Sequence, residues 1–114
     1  MNEKICIFGA GDLGREILVL IRQINIAGSN WNIEGFFDDN EKKGTLISGV
    51  AVLGDLDDLN SWKEPLNIVF AIADPETKKK LADKITNPNI KFPVLIHPGV
   101  EHHELVQGIL CSGW

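Results

Sequence analysis

The sequence predicts an α/β fold, an open and mostly parallel sheet of four or five strands with helices on both faces. Three observations predict it. Apolar runs at residues 3–8, 31–37 and 66–71 alternate with segments of helical apolar spacing, the order from which doubly wound sheets are built. The first run is apolar from Ile5 on and the third at all positions but Asn67, as in strands covered on both sides. The loops after the three runs (residues 9–14, 38–39 and 73–74) are glycine-rich or polar. They collect polar chemistry at the carboxyl edge of the sheet, where ligands of such folds bind.

Each element has its own justification. Glu3–Phe8 is the first strand. Over residues 12–23, Leu13, Ile17, Leu20 and Ile21, followed by Ile24, fall at helical spacing and form one broad apolar stripe. Ala27-Gly28-Ser29-Asn30 breaks that pattern. Trp31–Phe37 is the second strand, and the intervening helix makes the pair parallel with a right-handed connection. After a polar stretch at 40–44 come short apolar pieces at 46–47 and 50–53. Gly54-Asp55 then offers a cap for a short helix over 56–62. Leu66 to Ala71 is a third strand. The next helix covers 75–86, with Asp74 as N-cap and Pro75 at the first helical position. Residues 93–96 are the last strand, ended by His97-Pro98-Gly99.

A chain of 114 residues is one domain with a real core. Its net charge of −5 argues against a sequence-independent grip on nucleic acid or on an anionic membrane. The local basic cluster Lys78-Lys79-Lys80 reads as the solvated face of a helix. No apolar run approaches the roughly 20 residues of a membrane span. Cys6 and Cys111 lack metal or redox spacing, and Cys6 alternates within an apolar strand as an inert core thiol would. The expected location is cytoplasmic.

The first strand runs directly into Gly9-Ala10-Gly11-Asp12-Leu13-Gly14, a G-x-G-x-x-G turn opening a helix. In this context Gly9 permits the tight turn, Gly11 lets a phosphate approach bare backbone, and Gly14 lets the helix pack closely on the sheet. The unpaired N–H groups and positive dipole end of the helix favour an anion at the same place. The Asp12 carboxylate would repel that anion unless it turns away to cap the helix. These features specify a Rossmann-like three-layer sandwich.

In order along the chain stand Ile7-Phe8-Gly9-Ala10-Gly11, Gly35-Phe36-Phe37-Asp38-Asp39 and Gly49-Val50-Ala51-Val52-Leu53-Gly54-Asp55. Phe70-Ala71-Ile72-Ala73-Asp74 with a basic helix and Leu95-Ile96-His97-Pro98 follow. This ordered set resembles the N-terminal domain of bacterial sugar O-acyltransferases of the sialic-acid O-acetyltransferase type, relatives of the UDP-amino-sugar N-acetyltransferases. The resemblance implies a substrate domain that holds a nucleotide-activated sugar, most often a UDP-amino sugar. It places Gly9, Ala10, Gly11, Asp12 and Gly14 on the phosphate side, Asp38 and Asp39 at uracil or ribose, and Ala71, Ile72, Ala73 and Asp74 along the pocket. Where family members often carry His before the third glycine, this chain has Leu13.

The resemblance also implies a division of labour. Family members continue after the His-Pro turn into a left-handed β-helix of hexapeptide repeats, which trimerises, binds acetyl-CoA and carries the catalytic His. Residues 101–114 show no such period. Residues 1–100 are therefore assigned to the nucleotide-sugar-binding domain, and 101–114 to a tail where the β-helix would begin. No catalytic residue and no metal ligand is assigned. No cofactor is expected in this chain, and acetyl-CoA is expected only with the β-helix. Homo-oligomerisation stays open.

Two other readings remain at this point. Asp38 lies 24 residues beyond Gly14, near the offset of about 20 for an acid on an NAD ribose, so an NAD- or other nucleotide-binding module is one alternative. A ligand-free regulatory or assembly scaffold is the other. His102-His103, flanked by Glu101 and Glu104, would point to opposite sides of an extended chain and reads as an exposed tail rather than a metal site. His97 reads as a structural turn residue. Asp57-Asp58 reads as an exposed face or a complement to a helix dipole, and Trp31 and Trp62 as packing residues.

Overall fold

The computed structural model describes residues 3–93 and 95. Among these residues six strands form one sheet: β1 (Glu3–Phe8), β2 (Trp31–Phe37), β3 (Leu46–Ile47), β4 (Val50–Gly54), β5 (Leu66–Phe70) and β6 (Ile90–Lys91). Three helices connect them: α1 (Asp12–Ile26), α2 (Leu56–Asn60) and α3 (Pro75–Lys84). The strand order is β3-β4-β2-β1-β5-β6. All pairs are parallel except β3 with β4.

β1 shows why the sheet has a helix layer on each face. Ile5 and Ile7 join one core with Ile17, Leu18 and Ile21 of α1, while Cys6 and Phe8 join another with Leu59 of α2 and Ile68 and Phe70 of β5. Successive strand side chains point to opposite faces, so one strand, buried from Ile5 to Phe8, serves both cores. Trp62, Leu81 and Ala82 pack on the second core, with the Phe37 and Trp62 rings edge-to-face at 5.6 Å. Full burial of a side chain such as Phe37 stabilises the fold by about 1.5–3 kcal/mol; Trp62 is half-buried.

Side-chain amides fix the joints. Asn25 near the end of α1 accepts the Trp31 N–H and donates to the Trp31 carbonyl, both at 2.9 Å, which sets the start of β2. The buried Asn87 donates to the carbonyls of Leu59 and Trp62 and ties α2 to the chain leading into β6.

The three-layer, mostly parallel architecture is as predicted, with six strands rather than four or five. The extra pairings are short. Leu46–Ile47 folds back on β4 through Ser48-Gly49, both at positive φ (51° and 85°), the conformation of a two-residue hairpin turn. The last strand is displaced from its predicted place. β5 pairs with Ile90–Lys91, while Pro93 and Leu95 lie outside any strand; Pro93 has no N–H to give a ladder. Residue 94 and residues 96–114, with His97, the 101–114 tail and its His102-His103, lie outside the described residues. α1 runs three residues further than predicted, and α2 and α3 each stop two short.

Candidate functional site

After β2 the chain moves outward to β4 and then returns to place β5 on the other side of β1. The connections after β1 and β5 therefore leave toward opposite faces, α1 against one core and α3 against the other. A crevice opens between them at the carboxyl ends of the strands, as this reversal requires. Its volume is about 450 Å³, within the range of small-molecule sites.

Three walls meet there. The floor is the end of β1, with Phe8, Gly9 and Gly11; one side is Asp38, Asp39 and Asn40 after β2. The opposite side is Ala71 and Ile72 after β5, continued by Thr77, Lys80, Leu81 and Lys84 of α3. Six of the predicted site residues, Gly9, Gly11, Asp38, Asp39, Ala71 and Ile72, are brought together.

Gly9 and Gly14 have the geometry that the tight turn and the close helix packing need. Gly9 has φ +116°, and a Cβ there would come within 2.9 Å of the Ala71 carbonyl oxygen. A Cβ on Gly14 would overlap the Gly9 carbonyl, so this glycine allows α1 to approach the loop behind the cleft. Gly11 faces open space, and a Cβ there would meet nothing within 4 Å. It is the N-cap of α1 and has no side chain to occupy the first-turn N–H groups, which have no acceptors within the helix.

The remaining predicted residues act differently. The Ala10 N–H donates to Asp38 Oδ2 at 2.8 Å and is engaged within the protein. Asp38 Oδ1 accepts from the Asn40 N–H at 2.7 Å, so this carboxylate ties the glycine loop to the turn after β2. Asp39 Oδ1 accepts from the Leu56 N–H at 2.9 Å, at the first residue of α2. The Asp12 side chain is fully exposed, 3.9 Å from Arg15, and caps nothing; Gly11 holds the cap position. Asp74 caps α3, accepting from the Thr77 hydroxyl at 2.6 Å and the Thr77 N–H at 3.3 Å. These bonds, the hydroxyl first, hold its carboxyl below the usual range. Neither Ala73 nor Asp74 lines the cleft.

The basic cluster matches its reading as a solvated face at Lys79 and Lys80 but not at Lys78. Lys78 is 7% exposed, Lys79 is exposed, and Lys80 lines the cleft with Lys84. Thr77, Lys80, Leu81 and Lys84 stand at i, i+3, i+4 and i+7. That spacing forms one helical face, the signal by which Lys80 and Lys84 were findable in the sequence. Asp58, read as an exposed face or a complement to the helix dipole, is exposed in the first turn of α2 and also completes a reciprocal cap with Asp55. Among the described residues no group of three or more His, Cys, Asp or Glu could hold a metal ion, and no helix is long and apolar enough to cross a membrane.

The sequence profile of the PglD N-terminal domain matches residues 4–85. The chain belongs to the PglD N-terminal domain family. Among solved structures it is similar to the acetyltransferase domain of PglB from Neisseria gonorrhoeae FA1090 in complex with acetyl coenzyme A. The TM-score is 0.67 at 27% identity, over 86% of this chain and 45% of that one. A second structure of the same acetyltransferase domain gives 0.69 at 25% identity, over 85% and 45%. RSP, a Rex-family repressor, shares the fold at 23% identity with a TM-score of 0.53, over 83% and 47%. This PglD N-terminal domain thus spans less than half the length of the solved chains it matches. No curated protein matches it.

Proposed function

We propose that this PglD N-terminal domain is the substrate-binding part of a sugar acetyltransferase and holds a nucleotide-activated sugar, a UDP-amino sugar first, in the cleft at the ends of β1, β2 and β5. The observation that carries the reading is the meeting of Gly11, Asp38 and Ala71-Ile72 around one cavity. Gly11 leaves backbone open for a phosphate. The Asp38 oxygens, each engaged once, retain lone pairs for a ribose hydroxyl or a base N–H. The likeness to the PglB acetyltransferase domain supports the class of reaction.

The contribution of the described residues is positioning. They bind and orient the sugar nucleotide; acetyl-CoA and the proton-transferring base belong to the β-helix part of such enzymes, and no chemical step is assigned to the cleft. Calorimetric titration with UDP, a UDP-amino sugar, CMP-sialic acid, NADH and acetyl-CoA tests the reading. Saturable binding of the UDP compounds, abolished by Gly11→Val in a folded protein, is the expected result. Preference for NADH, or silence towards every ligand from well-folded protein, overturns it.

A further inference from the structure

The cleft is bipolar. Its acidic side chains, Asp38 and Asp39, come from the β2 side, and its cationic ones, Lys80 and Lys84, come from α3 on the β5 side. Both lysines are exposed, and among the described residues neither forms a salt bridge. Thr77, on the same helical face, already donates its hydroxyl to Asp74, so the two ammonium groups are the donors this face presents. On the glycine side, the Ala10 N–H is held by the Asp38 carboxylate. That arrangement takes one backbone donor from an incoming phosphate and sets a negative charge beside the loop.

We infer that Lys80 and Lys84 form the diphosphate-binding wall, and that the ligand lies with its phosphates between Gly11 and α3 and its nucleoside end toward Asp38. The inference rests on the proposed nucleotide-sugar reading and adds the cationic residues that hold the diphosphate; phosphates on the glycine side and the nucleoside at Asp38 are already what the resemblance implies. A phosphate placed against Asp38 would face like charge; placed against α3 it gains charge-assisted hydrogen bonds from ammonium groups. At the other end, ribose hydroxyls and a base N–H supply the donors that a carboxylate accepts. A rival orientation, phosphates beside Asp38 with the sugar on α3, sets like charges together and leaves the lysines without the phosphate, Lys80 keeping only its electrostatic contact with Asp74.

The test uses the whole chain, titrated with UDP, uridine and inorganic pyrophosphate. The variants are wild type, Lys80→Gln/Lys84→Gln, and Lys80→Arg as the charge-preserving control. Glutamine is close to lysine in helix propensity, so the double substitution keeps the fold and lowers the melting curve only slightly, through the lost charge in the last turn of α3. The expected result is a loss of roughly tenfold or more in affinity for UDP and pyrophosphate, a shallower salt dependence, unchanged uridine binding and near-normal Lys80→Arg. Equal UDP affinity in wild type and double variant overturns the lysine wall and leaves the nucleotide reading standing. Lysine-dependent pyrophosphate binding without UDP binding keeps the wall and removes the nucleotide. A folded wild type that binds neither overturns both.

Discussion

The carboxylate of Asp38 accepts the N–H of Ala10 at 2.8 Å across 28 residues of chain. With its second oxygen on the Asn40 N–H, this one side chain holds two backbone segments at the mouth of the cleft. The acid that resembles a ribose ligand in the sequence is therefore also a brace for the glycine loop. Loss of affinity on mutating Asp38 would report both roles together, which makes Gly11 the cleaner probe of ligand contact.

Asp38→Ala is expected to lower stability by about 2 kcal/mol, the scale of hydrogen bonds to a charged acceptor whose donors are left unpaired. Asp38→Asn keeps one carbonyl oxygen and recovers part of the loss. Urea unfolding of the three proteins measures it; equal midpoints would show that the brace carries no stability.

The first-turn glycines should separate. Gly14→Ala drives a methyl into the Gly9 carbonyl and should cost about 1–3 kcal/mol, as overpacking does. Gly11→Ala meets open space and loses under about 1 kcal/mol, from a poorer N-cap. Thermal melts of both variants check the order, and a Gly11 variant less stable than the Gly14 variant contradicts it.

Cys6 is fully buried, and burial, with the Glu34 charge second, pushes its thiol up to about 12. Alkylation mapped by mass spectrometry should spare Cys6 in native protein at pH 8 and modify it after unfolding. The linkage has a definite sign. The unfolded thiol ionises near 9 and the folded one near 12, so its contribution to stability is complete below pH 9 and is lost as pH rises through 12. Rapid native labelling of Cys6 at pH 8 would contradict this burial.

Asp74 caps α3 through Thr77, and that bond lowers its pKa. Its stabilising contribution is present above the ordinary value of 3.8 and fades as pH falls through the depressed folded value. Asp74→Ala should therefore lower the melting temperature at pH 7, with the difference from wild type closing in strong acid. A difference independent of pH would assign the effect to something other than the carboxylate.

The layers, the strand–turn–helix opening, the tight turn at Gly9 and the close helix packing at Gly14 were legible in the sequence. They follow from local rules: the two-residue and 3.6-residue periods of side-chain direction, and the access of glycine to positive φ and close approach. The Asp74 cap was legible for the same reason. The β3–β4 hairpin left a local trace, Ser48-Gly49 between two apolar pairs, but such short pairings carry too few residues for a periodic signal.

What only the tertiary structure decided concerns residues far apart in the chain. The placing of β5 beside β1 rather than beyond β4 turned one face of α3 toward the glycine loop, so that Lys80 and Lys84 became cleft residues while Lys78 was buried. The same arrangement put Asp38 against Ala10 and left Asp74 outside the cleft. Local sequence specifies the elements and the faces they can present. Which faces meet, and which charges confront each other across a cavity, depends on the order in which strands pair, and that order is set by the packing of the whole sheet against its two helical layers.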